Sequence, residues 1–135
     1  MFNPNAFQTR QYEVASVAAA GTLVPGTAVK LPDSLPTGLS PPASYFTFAP
    51  AGTADRPVGV VGLAGNITTT VPGRVCLSGG SPLVPALLDS AVTKGDALAI
   101  KTADGKWGKA GAGETPYLIA AEAGAAGDLA WAVVL

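Results

Sequence analysis

VTKGDALAI (92–100), with DGKW (104–107) close behind it, is the stretch whose reading decides the fold. It parses as a Gly-Asp turn, a short apolar strand, an Asp-Gly hairpin and a second strand that carries Trp107. Asp-Gly between two β-rich runs signals a two-residue hairpin loop, because both central positions must tolerate positive φ. The same grammar recurs near the front of the chain. LVPGTAVKL (23–31) aligns with 92–100 without a gap, placing Gly26 on Gly95, Ala28 on Ala97 and Leu31 on Ile100. Gly26, Gly95, Asp96, Asp104 and Gly105 are assigned as turn formers on this basis.

A second echo follows the first. PVGVVGLAG (57–65) resembles PYLIAAEAG (116–124), with Pro57 on Pro116 and Gly65 on Gly124. Each half then ends on a closing strand, RVCL (74–77) in one and LAWAVVL (129–135) in the other. Two copies of one supersecondary unit predict an all-β fold, a single barrel or sandwich with approximate internal symmetry.

The bulk composition narrows the function classes. A chain of 135 residues suits one domain with a sizeable core. Only 13% of residues are charged against 48% hydrophobic, so much of the exterior is uncharged: either small Ala, Gly, Ser and Thr residues or surface meant to be covered by protein. No apolar run is long enough for a membrane helix, and no basic flank precedes an apolar block as in a signal peptide. A net charge of −1 with scattered lysines and arginines gives no electrostatic case for nucleic acid. Cys76 is the single cysteine. A buried small hydrophobe is the expected role, and a chain without an internal disulfide suits a reducing cytosol.

Residues 1–13, MFNPNAFQTRQYE, differ in texture from the rest, with amides and two phenylalanines replacing Ala, Gly and Val. A solvated tail is the plain reading. Phe2 and Phe7 favour an extended arm that orders on a neighbouring subunit, leaving 14–135 as the β domain. Within it, 32–56 holds five prolines and is expected to be a long loop or excursion. YFTF (45–48) inside that segment reads as a short edge strand or an aromatic patch. VPALLDS (84–90) reads as one helical turn with an early proline. In LAWAVVL, apolar residues on both faces predict a strand covered on both sides, with Trp131 in the core beside Trp107.

Catalytic chemistry has little to work with. There is no histidine, hence neither the commonest general base nor the commonest metal ligand. The acidic residues are dispersed, and Asp96, Asp104 and Asp128 all adjoin glycine, where a turn role suffices. GLAGN and SGGS lack a phosphate-loop pattern. No enzyme, cofactor, metal or small-molecule substrate is expected.

The run Val-x-x-Gly-Asp-x-Leu (92–98), DGKW (104–107) and AAEAGAAGDLAWAVVL (120–135), preceded by GTAV (26–29) and PVGV (57–60), resembles the tailed-phage capsid cement, or head decoration, proteins. The resemblance covers roughly 14–31 and 56–135, and not the arm or the Pro-rich segment. It implies a non-enzymatic β-barrel-like protein, made in the host cytoplasm, that sits on the outer capsid of the virion as a homotrimer. There it would stabilise the expanded shell by clamping neighbouring major capsid protein subunits. Phe2, Pro4, Phe7 and Tyr12 of the arm, with Tyr45, Phe46 and Phe48, are the candidate interface residues. Two rival readings stand beside this one. One is a carbohydrate- or host-receptor-binding β module using Trp107 as a stacking platform, and the other is a structural subunit of a phage tail or neck.

Overall fold

The structure, a computed structural model, describes residues 13–33, 46–77 and 83–135. Every regular element among them is a strand. In chain order these are β1 (Glu13–Ala18), β2 (Thr22–Leu23), β3 (Ala28–Lys30), β4 (Phe46–Pro50), β5 (Gly59–Val61), β6 (Ile67–Thr68) and β7 (Gly73–Leu77), then β8 (Leu83–Leu87), β9 (Ala97–Ile100), β10 (Trp107–Lys109), β11 (Leu118–Ala120) and β12 (Leu129–Val134).

The first half closes into a barrel in the order β1-β4-β3-β5-β7, with β2 and β6 forming a small ribbon. The second half forms a five-stranded sheet in the order β10-β9-β11-β12-β8. The two orders are the same once β1, β3, β4, β5 and β7 are matched with β8, β9, β10, β11 and β12. The registers match too. Ala28 opposes Val60 in the first unit, and Ala97 opposes Ile119 in the second. Val60 then opposes Cys76, as Ile119 opposes Val133. Turn hydrogen bonds repeat with them: Gly26 N–H donates to Val61 O at 2.8 Å, and Gly95 N–H to Ala120 O at 2.8 Å. Gly62 N–H reaches Arg74 O at 2.8 Å, and Ala121 N–H reaches Trp131 O at 2.8 Å. The all-β, barrel-containing expectation holds. The duplication goes further than the sequence indicated, since each copy builds its own sheet instead of contributing half of a shared barrel.

The two units differ in how they close. In the first, β1 and β4 pair in parallel through Ser16–Phe46, Val17–Thr47 and Ala18–Phe48. In the second, the matching strands meet only at the parallel bridge between Leu88 and Trp107. The opening between β8 and β10 receives the Gly26 turn of the first unit. Leu87 N–H donates to Gly26 O at 2.9 Å, Ala28 N–H to Gly105 O at 2.9 Å, and the Trp107 indole N–H to Gly26 O at 3.1 Å. Backbone groups left unpaired by the incomplete barrel are thereby satisfied across the two copies.

Two apolar clusters follow from this arrangement. One fills the first barrel with Leu23, Val29, Phe48, Val61, Ile67 and Val75. The other fills the second sheet around Trp107, Leu98, Leu118 and Leu88, and also takes in Ala28, Val60 and Cys76 from the outer face of the first barrel. The first barrel's outward row is thus core in the assembled chain. Ser16 is buried with its hydroxyl donating to Val14 O at 3.0 Å, which satisfies the donor.

Several expectations are corrected. Residues 83–87 form a strand, not a helical turn, because β8 gains five register pairs with β12. Pro85 fits there because β8 has a ladder partner on one side only. The Pro-rich 32–56 segment contains β4, an interior strand of the barrel flanked by β1 and β3, so YFTF does not lead into an edge strand. Glu13 opens β1 and belongs to the barrel, not to the arm. The Asp-Gly hairpin has a longer loop: Lys101 N–H donates to Lys106 O at 2.8 Å across a turn spanning 102–105. Gly105 alone carries positive φ, +88°, since no non-glycine residue does among those described.

Candidate functional site

Trp131 is 44% exposed, contrary to the core role expected for it. The reason lies in the interior of the second sheet. Trp107, Leu98 and Leu118 already occupy that space, and β12 contributes to it Ala130 and Ala132, at 2% and 0% exposure, with partly buried Val134 packed at its edge. Strand alternation then forces Leu129, Trp131 and Val133 outward. Trp107 sits at 0% exposure with its indole N–H satisfied.

The outward face of β12 is the center of the candidate site. Val133 and Leu83 are directly opposed across β12 and β8, and Trp131 opposes Pro85. Leu83, Leu129, Trp131, Val133 and Leu135 are all large, apolar and at least 41% exposed. Contiguous exposed apolar surface of this kind marks contact sites more often than solvated surface. LAWAVVL held the signal for it: alanine alternates with large residues, so the small face suits a crowded interior and the large face lies outside.

The residues singled out from sequence are scattered by comparison. Phe2, Pro4, Phe7, Tyr12 and Tyr45 lie outside the described residues. Phe48 is buried inside the first barrel at 1% exposure, which removes it from any contact surface. Phe46, two residues along the same strand face, is 59% exposed and stacks on Phe48 with ring centroids 6.3 Å apart. Gly26 and Gly105 are turn formers as assigned, yet their larger role is to let the two copies meet. A Cβ on Gly26 would lie 2.7 Å from Leu87 N, and one on Gly105 2.7 Å from Ala28 N. Gly95 faces open space.

The carboxylates serve turns. Asp96 accepts from Thr93 N–H at 2.9 Å and Asp55 from Gly52 N–H at 2.8 Å. Glu114 accepts from Gly111 N–H at 2.7 Å. All three are held below the ordinary carboxylate range. The Thr93 amide is the main cause at Asp96, the Gly52 amide followed by Lys30 at Asp55, and the Lys101 ammonium followed by the Gly111 amide at Glu114. Asp104 accepts from the Thr102 hydroxyl, closing the hairpin loop. No cluster of three or more potential metal ligands occurs among the described residues. A cleft between the two units is lined by Arg56, Pro57, Cys76, Tyr117 and Leu135 among others and is mainly apolar.

Neither a family model nor a curated protein matches the sequence. Among solved structures, the chain is similar to the head fiber gp8.5 N base of bacteriophage phi29, with a TM-score of 0.68 at 13% identity. The likeness covers 93% of this chain and 95% of that one, so it takes in both five-stranded units and shows a shared fold.

Proposed function

We propose that this chain is a structural protein of a phage head, held on the outer capsid surface, where it stabilises the shell by clamping neighbouring major capsid protein subunits. The observation that carries the reading is the end-to-end likeness to the N base of a bacteriophage head fiber. Two features agree with it. The sequence resembles capsid cement proteins over the same two units, and the exterior is low in charge with an apolar face on β8 and β12. Many copies on one shell make weak individual contacts sufficient through avidity. The partners proposed are the major capsid protein and further copies of the chain itself.

The carbohydrate-binding alternative loses its platform, since Trp107 is fully buried. Co-sedimentation with expanded empty capsids tests the main reading. The intact protein is expected to pellet with capsids and to raise their resistance to heat. Removing residues 1–12 is expected to weaken that binding while leaving the unfolding of the β units nearly unchanged. Protein that stays in the supernatant with every expanded shell, and instead binds isolated tails or necks, would transfer the reading to the other structural class.

A further inference from the structure

The turn before β5 and the turn before β11 are copies of one element. AGTADRP (51–57) aligns with AGAGETP (110–116), which sets Asp55 on Glu114. In each copy the carboxylate accepts from the amide three residues earlier, Gly52 N–H at 2.8 Å and Gly111 N–H at 2.7 Å. The same oxygen also takes a lysine, Lys30 at 3.2 Å in the first unit and Lys101 in the second. Packing of the two units brings both turns to one cleft of about 230 Å³, lined by Thr53, Asp55, Ile100, Glu114, Thr115 and Tyr117. The second oxygen of each carboxylate, Asp55 Oδ1 and Glu114 Oε2, accepts nothing from a described residue.

We infer that this cleft binds a neutral sugar. The lysine on each carboxylate already balances its charge, so the cleft offers acceptor oxygens without an excess of negative charge to draw in a metal cation. No cluster of three potential metal ligands forms there among the described residues. A phosphate or carboxylate ligand would meet two ionised carboxylates. Hydroxyl donors fit instead: a vicinal diol gives two O–H groups to one carboxylate, and such charge-assisted bonds are stronger than neutral ones. The Thr53 and Thr115 hydroxyls donate to or accept from further sugar hydroxyls. Tyr117 is half-buried and adds an aromatic face for sugar C–H groups beside its own polar tip. The cleft is smaller than the roughly 300–1,000 Å³ of pockets for drug-sized ligands, so it suits a single sugar unit. Buried Trp107 takes no part, and the site goes beyond the capsid reading without resting on it.

Amide NMR of the full chain, titrated with glucose, galactose, mannose, rhamnose and N-acetylglucosamine to about 100 mM each, tests this. At least one sugar is expected to bind with a millimolar Kd and to move the amides of 53–55 and 113–117. Thr115→Arg, at an exposed position, is expected to stay folded, to fill the cleft and to weaken binding at least about tenfold. Glu114→Gln keeps an oxygen for Gly111 N–H, is expected to weaken binding to a similar degree, and decides if Thr115→Arg fails to fold. If neither folds, the shift map of the unaltered protein decides. Failure of all five sugars to bind overturns the proposal. So do shifts confined to other residues, binding unchanged in the folded variants, or a response at these amides to calcium chloride or sodium phosphate alone. Each of these results leaves capsid co-sedimentation to be judged separately.

Discussion

Gly26 and Gly95 occupy one position in two copies and share a left-handed backbone, with φ of +85° and +92°. Alanine at Gly95 meets open space, so only the conformational penalty applies, about 1 kcal/mol. Alanine at Gly26 adds a collision with the Leu87 backbone, and a loss of about 3 kcal/mol or more is expected. Urea unfolding of the two variants checks this, and equal losses would contradict the tight approach of the two units. The carboxylates give a second residue-scale prediction. Asp55, Asp96 and Glu114 have folded pKa values below their unfolded values of about 4. The folded state therefore binds fewer protons there, and the stabilisation exists above about pH 4 and is lost as pH falls through the folded values. Thermal melts are expected to be flat near neutrality and to decline in acid. Asp96→Asn should lower the neutral melting temperature and flatten the acid decline. Unlike those of Asp55 and Glu114, which were not singled out, the turn roles of Asp96 and Asp128 were legible in sequence, because an acidic side chain beside glycine ties back to an amide three residues earlier. That Gly26 and Gly105 also meet at the contact between units was not, since it depends on a partner far along the chain.

β12 shows what alternation determines at the scale of an element and what it leaves open. A strand with Leu129, Trp131 and Val133 on one side and Ala130, Ala132 and Val134 on the other must turn one set inward. Hydrophobicity alone favours burying the large set, and that was the expectation for Trp131. The space left by Trp107, Leu98 and Leu118 reverses it. The two tryptophans should therefore answer differently to truncation. Trp107→Ala is expected to cost about 3–5 kcal/mol, and Trp131→Ala less than about 1 kcal/mol. Denaturant midpoints measure both, and comparable losses would argue against the outward placement of Trp131. Trp107→Phe keeps most of the bulk while leaving Gly26 O with one donor in place of two, at a cost of about 1 kcal/mol from the hydrogen bond alone. β8 was misread for a related reason. Its proline and leucines carry no period of their own, and only the ladder with β12 makes the segment a strand.

Across the whole molecule, the two units are unequal partners. The first closes its own barrel, whereas the second closes through one bridge and three hydrogen bonds to the Gly26–Ala28 segment. Residues 83–135 expressed alone are expected to lack cooperative unfolding and to bind dyes that report exposed apolar surface. The intact chain should melt in one calorimetric transition, because the larger apolar cluster contains residues from both units. Two separated transitions would contradict that coupling. The sequence by itself determined that the fold is all-β, that a unit recurs, and where its glycine turns fall. Those features are written in short-range patterns: alternation, β-branched runs, and glycine where the backbone must turn left-handed. Tertiary structure decided how many sheets the repeats make, which tryptophan is buried, and which apolar row stays open. These outcomes depend on how space is shared between residues distant in the chain, a competition for volume and for hydrogen-bond partners that no local pattern records.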